Sequence, residues 1–267
     1  MRTRSSLITA IAALAALAGV AGVPSPAADD RPIPAYAATA DEAQLRPGAG
    51  MIDPGGDSGD LPYTELDTFC TWNWVFNEVV EADPDTGKYP TPKAYIGTAA
   101  HCTDNVGDRV AALGIDEFGT VVFDSDTYDG QVDFSLVEID ADLVAQVHPQ
   151  MFGFDAPTGV STTADVSVGD VVWLHGYGLV LGQNDFTRDR PGLITTISDD
   201  EYAAETLWQL GDSGSPITLG ETGLALGIVS RYGFDQLPPS TDVGPTVTWI
   251  LEHLADAGFN VELATID

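Results

Sequence analysis

Lysine is almost missing from this chain of 267 residues: Lys88 and Lys93 are the only two. All Lys and Arg number 10 against 41 Asp and Glu, a formal net charge of −31. A chain so acidic repels phosphate backbones, which excludes nucleic acid as a partner. It fits surroundings where salt or acid relieves self-repulsion, so folding and activity are expected to depend on ionic strength. Cysteine is nearly absent as well, with Cys70 and Cys102 alone, and no cluster of Cys and His has zinc-ligand spacing, so no metal site is expected. The carboxylate-rich run Asp124 to Gly130 departs from the calcium-loop spacing and reads as an exposed acidic loop. After Val23 no apolar run is long enough to span a bilayer, which excludes a membrane partner for the exported protein.

What is present begins with an export signal. Arg2 and Arg4 precede an apolar stretch from Leu7 to Val23, and Pro24-Ser25-Pro26-Ala27-Ala28 supplies the small residues of a cleavage region, so residues 1–27 read as a secretory signal. The expected location is extracellular. Residues 28–50 are rich in Ala, Pro and Asp without hydrophobic periodicity and read as a leader or propeptide with no fold of its own. Residues 51–267 then form the domain. Its short apolar runs, bounded by Gly, Pro and Asp, point to an all-β arrangement. Export makes a Cys70–Cys102 disulfide the default reading of the two cysteines. It would close a loop of about 30 residues and constrain the unfolded chain by roughly 3–4 kcal/mol.

Local patterns place some elements. Thr71 to Val80 and Ala94 to Thr98 read as strands joined by the turn Asp83-Pro84-Asp85-Thr86-Gly87-Lys88. Near the C-terminus, Val247, Ile250, Leu251 and Leu254 recur at helical spacing, predicting an amphipathic helix over about 246–256 with His253 on its solvated side.

The chemistry rests on a quartet that occurs twice, Gly-Asp-Ser-Gly at Gly56 to Gly59 and at Gly211 to Gly214. A serine hydroxyl is a weak nucleophile until an imidazole takes its proton, and the imidazole needs a third group to fix its tautomer. His101 in Thr98-Ala99-Ala100-His101-Cys102 and Asp133 in Asp133-Phe134-Ser135-Leu136 are the candidates. The second quartet continues into Ser215-Pro216 and an apolar run, as a turn between strands would, whereas the first sits in a Gly and Asp cluster that reads as a loop. Ser213 is therefore the candidate nucleophile.

Through TAAHC, DFSL and GDSGSP the chain resembles the chymotrypsin-like (trypsin-fold) serine peptidases, in a secreted bacterial-type form. Gly176-Tyr177-Gly178 is similar to the family's Gly-Trp-Gly, and Ser230 to its substrate-binding serine. The resemblance implies two packed six-stranded antiparallel β-barrels, at about 60–145 and 160–245, followed by a C-terminal helix. It implies a monomeric serine endopeptidase that acts on protein or peptide and needs no cofactor. Ser213 would attack, His101 would shuttle the proton, Asp133 would orient the imidazole, and the N–H groups of Gly211 and Ser213 would bind the oxyanion. A disulfide at the place of Cys70–Cys102 belongs to the same pattern.

Two departures carry weight. The position six before the nucleophile is Leu207, so no carboxylate waits there for Lys or Arg, and Ser230-Arg231-Tyr232-Gly233 replaces the family's Ser-Trp-Gly. Leu207, Ser230 and Tyr232 are thus the expected substrate-binding residues, with an apolar or small side chain before the scissile bond. The alternative is a catalytically silent binding protein on the same fold, its pocket occluded by Tyr232 and Trp208. Met51-Ile52-Asp53-Pro54-Gly55-Gly56 resembles the animal activation segment poorly, so Asp212 is expected to find an internal partner among His175, Arg188 and Arg190.

Overall fold

The computed structural model describes residues 31–52, 70–125, 132–178, 188–233 and 240–266. The expected signal segment, the first Gly-Asp-Ser-Gly quartet, most of the acidic run after Ser125 and the Tyr232 side chain lie outside the described residues. In chain order the strands are β1 (Gly50–Ile52), β2 (Cys70–Thr71), β3 (Val75–Glu78), β4 (Ala94–Thr98), β5 (Arg109–Ala112), β6 (Ile115–Asp124) and β7 (Ser135–Ile139). Then follow β8 (Val171–His175), β9 (Asp189–Ile197), β10 (Glu201–Thr206), β11 (Pro216–Leu219), β12 (Leu224–Ile228), β13 (Arg231–Gly233) and β14 (Ser240–Pro245). Helix α1 (Val247–Asp256) and β15 (Val261–Leu263) complete the chain.

Two curled antiparallel sheets result. The first has the order β15-β3-β4-β7-β6-β5-β1-β2 and the second β12-β11-β8-β9-β10-β14-β13. The all-β double barrel with its C-terminal helix is therefore present, with eight and seven described strands in place of six and six. The first sheet gains β15, which returns after α1 to pair with β3, Leu263 facing Phe76. The sequence pattern assigns no element to those last residues.

Apolar residues fill three regions. Trp72, Ile96, Phe118, Val121 and Val137 pack inside the first barrel, and Val172, Leu174, Ile194, Tyr202 and Ile217 inside the second. Between them Trp74, Phe76, Phe134, Leu136 and Ile228 meet Val247, Ile250 and Leu254 of α1. The helix starts where Thr246 caps it, its side chain accepting from the Trp249 N–H at 3.2 Å. His253 is half-buried against the Trp249 ring at 4.6 Å. The turn at Asp83 forms as expected, its carboxylate accepting from the N–H groups of Asp85 and Thr86 at 2.9 and 2.8 Å.

The segment before Met51 differs from expectation. Residues 32–50 carry no periodic signal, yet Leu45, Ala49 and Met51 are buried in the first barrel. Gly48 N–H donates to the Trp72 carbonyl at 2.8 Å, and Leu45 N–H to the Gln146 carbonyl at 3.0 Å. Arg46 lies 3.9 Å over the Phe152 ring. A single strap that anchors by isolated residues leaves no repeating pattern to read.

Candidate active site

His101 sits in a short 3-10 turn, Ala100–Cys102, that follows β4 directly. The turn is pinned from one side by the Cys70–Cys102 disulfide, Cα atoms 6.1 Å apart, and from the other by hydrogen bonds. Thr103 Oγ1 reaches both the Asp124 carboxylate at 2.9 Å and Ser135 Oγ at 2.7 Å, and Ser135 Oγ donates to the same Asp124 oxygen at 2.9 Å. Asp124 is buried rather than part of an exposed loop, because β6 carries it inward. It ties the segment after His101 to the segment after Asp133.

Asp133 has φ 46°, a left-handed backbone that non-glycine residues seldom adopt and that costs about 1–3 kcal/mol. That conformation turns its carboxylate back onto His101 while Phe134 dives into the core. Asp133 accepts from the His101 backbone N–H at 3.1 Å and lies 3.0 and 3.1 Å from the ring Nδ1. Ser230 Oγ–H donates to its other oxygen. Burial pushes the Asp133 carboxyl up, but the hydrogen bonds and charge of His101, with the Ser230 hydroxyl, outweigh it and hold the carboxyl below its ordinary value. A carboxylate there places the ring proton on Nδ1 and leaves Nε2 as the acceptor.

Ser213 lies at the junction of the two sheets. Its carbonyl accepts from Thr71 N–H at 2.7 Å, beside the disulfide that holds the histidine turn. Gly214, at φ 85°, has its N–H on the Val229 carbonyl at 2.7 Å, and a Cβ there would strike the Thr71 carbonyl and Thr98 Oγ1. Gly211, at φ 99°, gives its carbonyl to Thr71 Oγ1 at 2.7 Å. The serine turn is thus clamped by β2, by the end of β4 and by the segment after β12.

Asp212 selects Arg190 among the three candidate partners. Arg190 Nη1 meets Oδ2 at 2.7 Å and Nη2 meets Oδ1 at 2.5 Å, both groups being buried. Burial pushes the Asp212 carboxyl up, while Arg190 and the N–H groups of Gln209 and Gly178 pull it down. The two parallel contacts make the pair a bidentate fork. Gly176 and Gly178 wrap it so closely that a Cβ on either would meet the Asp212 oxygens. His175 is committed elsewhere: Nδ1 is 2.6 Å from Asp189 and Nε2 2.9 Å from Thr218 Oγ1.

Of the expected substrate-binding residues, Ser230 is buried beside Asp133, whereas Leu207 is 59% exposed and its carbonyl accepts from Arg190 Nη1 at 3.0 Å. Two residues escaped the sequence reading: Asp124, behind the histidine, and Asp242 on β14, wholly buried opposite Tyr232 and Ala204. A lone acid between Thr241 and Val243 in a short β-prone run was the only signal for Asp242. Among the described residues the one cluster of possible metal ligands is Cys70, His101 and Cys102, whose two sulfurs are spent in the disulfide.

Asp124 is expected to act as a brace. With Asp124→Ala, the buried hydroxyl of Ser135 loses its carboxylate acceptor, at about 1–3 kcal/mol, and the half-buried one of Thr103 falls back on the Ala100 carbonyl. We expect a lower melting temperature and, as the His101 turn loosens, a kcat reduced by roughly tenfold; an unchanged kcat in a destabilised variant would show the brace to be purely structural.

No family model matches the sequence, and no curated protein matches it. The fold, however, is similar to solved structures. Thermobifida fusca protease A is 18% identical at TM-score 0.51, covering 74% of this chain and 92% of its own. A Cellulomonas bogoriensis chymotrypsin is 18% identical at TM-score 0.51, covering 83% and 100%. A Nocardiopsis protease is 18% identical at TM-score 0.52, covering 73% and 93%. Together with the two sheets and the C-terminal helix, these likenesses show that the chain has the chymotrypsin-type double β-barrel fold.

Proposed function

We propose that the protein is a secreted, monomeric serine endopeptidase that hydrolyses peptide bonds through an acyl-enzyme and needs no cofactor. The observation that carries this reading is the convergence on Asp133 of the His101 N–H, its ring Nδ1 and the Ser230 hydroxyl, next to a serine turn clamped at both ends. In this reading Ser213 Oγ attacks the substrate carbonyl carbon as its proton passes to His101 Nε2. Asp133 supports the resulting imidazolium. The proton then goes to the leaving amine, the C–N bond breaks, and water, activated by the same imidazole, cleaves the acyl-enzyme. The N–H groups of Gly211 and Ser213 serve the oxyanion; loss of one such donor costs other enzymes about 3–4 kcal/mol.

The Arg190 pair supports an activity that needs no newly cut amine, since Asp212 already has an internal cation. Digestion of an unfolded casein tests the reading. Ser213→Ala is expected to lower kcat by on the order of 10⁶-fold, and equal digestion by both proteins would refute it.

A further inference from the structure

Thr71, on β2 beside Cys70, reaches both residues whose N–H groups serve the oxyanion in the reading above, although 140 positions separate it from Gly211. Its N–H donates to the Ser213 carbonyl and its hydroxyl to the Gly211 carbonyl, each at 2.7 Å. The residue is wholly buried. A third neighbour settles the direction of the hydroxyl: the Tyr177 N–H, which can only donate, meets Oγ1 at 3.0 Å, so the single hydroxyl proton is left for Gly211.

That contact falls where the serine turn is most easily disturbed. Asp212 N–H closes a turn onto the Gln209 carbonyl at 3.0 Å, with Leu210 and Gly211 in its middle and Gly211 at φ 99°. A positive φ at the third residue marks the type II form; in the type I form it is negative and the central peptide is turned over. Here the central peptide carries the Gly211 N–H. The sign of φ at Gly211 therefore decides which way that donor faces. Glycine has no side chain to fix its own conformation, and the Thr71 hydroxyl holds it from outside.

Thr71 is held in turn by the strap. Gly50 on β1 is its cross-strand partner, and a Cβ at Gly50 would stand 2.7 Å from Cδ1 of the Tyr177 ring. The Arg188 guanidinium lies 5.2 Å from the centre of the same ring. Gly50, Thr71 and Tyr177 thus close a triangle, and the bare backbone at Gly50 lets Tyr177 approach until its N–H meets Oγ1. We propose, resting on the peptidase reading, that Thr71 is a positioning residue for the oxyanion hole and that the strap holds it there through Gly50 and Tyr177. Residues 32–50, which the sequence pattern assigns to a leader, then belong to the active enzyme.

Thr71→Val keeps the shape of the side chain and removes the hydroxyl, leaving the Tyr177 N–H and the Gly211 carbonyl without it. For a peptide substrate kcat is expected to fall by roughly 10–100-fold, below the about 10²–10³ that loss of a whole donor costs, with KM within about threefold. The deciding readout is inhibition by a peptide aldehyde. Ser213 Oγ adds to the aldehyde carbon, its proton passes to His101, and the aldehyde oxygen becomes an oxyanion in the hole. Its inhibition constant should rise by the factor by which kcat/KM falls, which a purely structural role would not produce. Thr71→Ser, which retains the hydroxyl, should restore most of the rate. An unchanged kcat in folded Thr71→Val, or a lower kcat with unchanged aldehyde inhibition, would overturn the proposal. Should Thr71→Val fail to fold, a crystal structure of the wild type with the aldehyde decides: a Gly211 N–H on the hemiacetal oxygen with its carbonyl still on Thr71 Oγ1 supports the assignment, and a Gly211 carbonyl that has left Thr71 opposes it. Fluorophosphonate labelling of wild-type Ser213 separates the two failures. A labelled enzyme whose Thr71→Val variant keeps its rate refutes only this inference, whereas a folded wild type that takes no label refutes the peptidase reading.

Discussion

Arg190→Met is expected to destabilise the protein by about 3–5 kcal/mol, because it strands a buried carboxylate whose counter-charge has gone. For a domain of this size that is a fall in melting temperature of roughly 6–20 °C. Asp212 precedes Ser213 directly, and its carboxylate also holds the Gln209 N–H at 2.7 Å, so the whole serine turn depends on where that side chain is fixed. Activity should fall further than stability alone would explain. Arg190→Lys should not rescue it, since a point charge cannot reproduce the two-pronged contact with Oδ1 and Oδ2. Arg190→Met with Asp212→Asn should recover part of the stability, and calorimetry of the two single variants and the double variant measures that coupling. Additive losses would show that the pair does not act as a unit.

Asp133→Asn should leave the fold nearly intact and lower kcat by on the order of 10⁴-fold. An amide at that place can offer its N–H₂ to the ring, which puts the imidazole proton on Nε2, where the serine hydroxyl needs an acceptor. The pH dependence of stability carries a sign that separates this from a packing defect. Because the folded carboxyl is held below its ordinary value, its contribution is present above the unfolded value and is lost as pH falls through the folded one. The stability gap between wild type and Asp133→Asn should therefore narrow on acidification. A gap that widens in acid would mean that the His101 contact does not favour the ionised form.

Sequence and structure agree where chemistry forces particular letters. A serine turn with positive φ at Gly211 and Gly214, and a glycine pair wrapped around an ion pair at Gly176 and Gly178, leave marks that composition cannot imitate. The helix was legible because Val247, Ile250 and Leu254 must share one buried face. The strap from Pro32 to Gly50 was not, since it docks by single contacts such as Tyr36 Oη–H on Asn77 Oδ1 at 2.6 Å rather than by a repeating stripe. Three cations could have served Asp212, and only the folded path of β9, which turns Arg190 inward and sets Asp189 on His175, decides among them. Asp242 was invisible for a related reason: its neighbours come from β10 and β13, brought together by register alone.

The central claim is that Ser213 is a nucleophile activated by His101. Reaction of the folded protein with a fluorophosphonate, followed by peptide mass mapping, tests it most directly. The account predicts a single adduct on Ser213 that disappears in Ser213→Ala and is slowed by orders of magnitude in His101→Ala; a folded wild type that takes up no label, or labels at another residue, would contradict it.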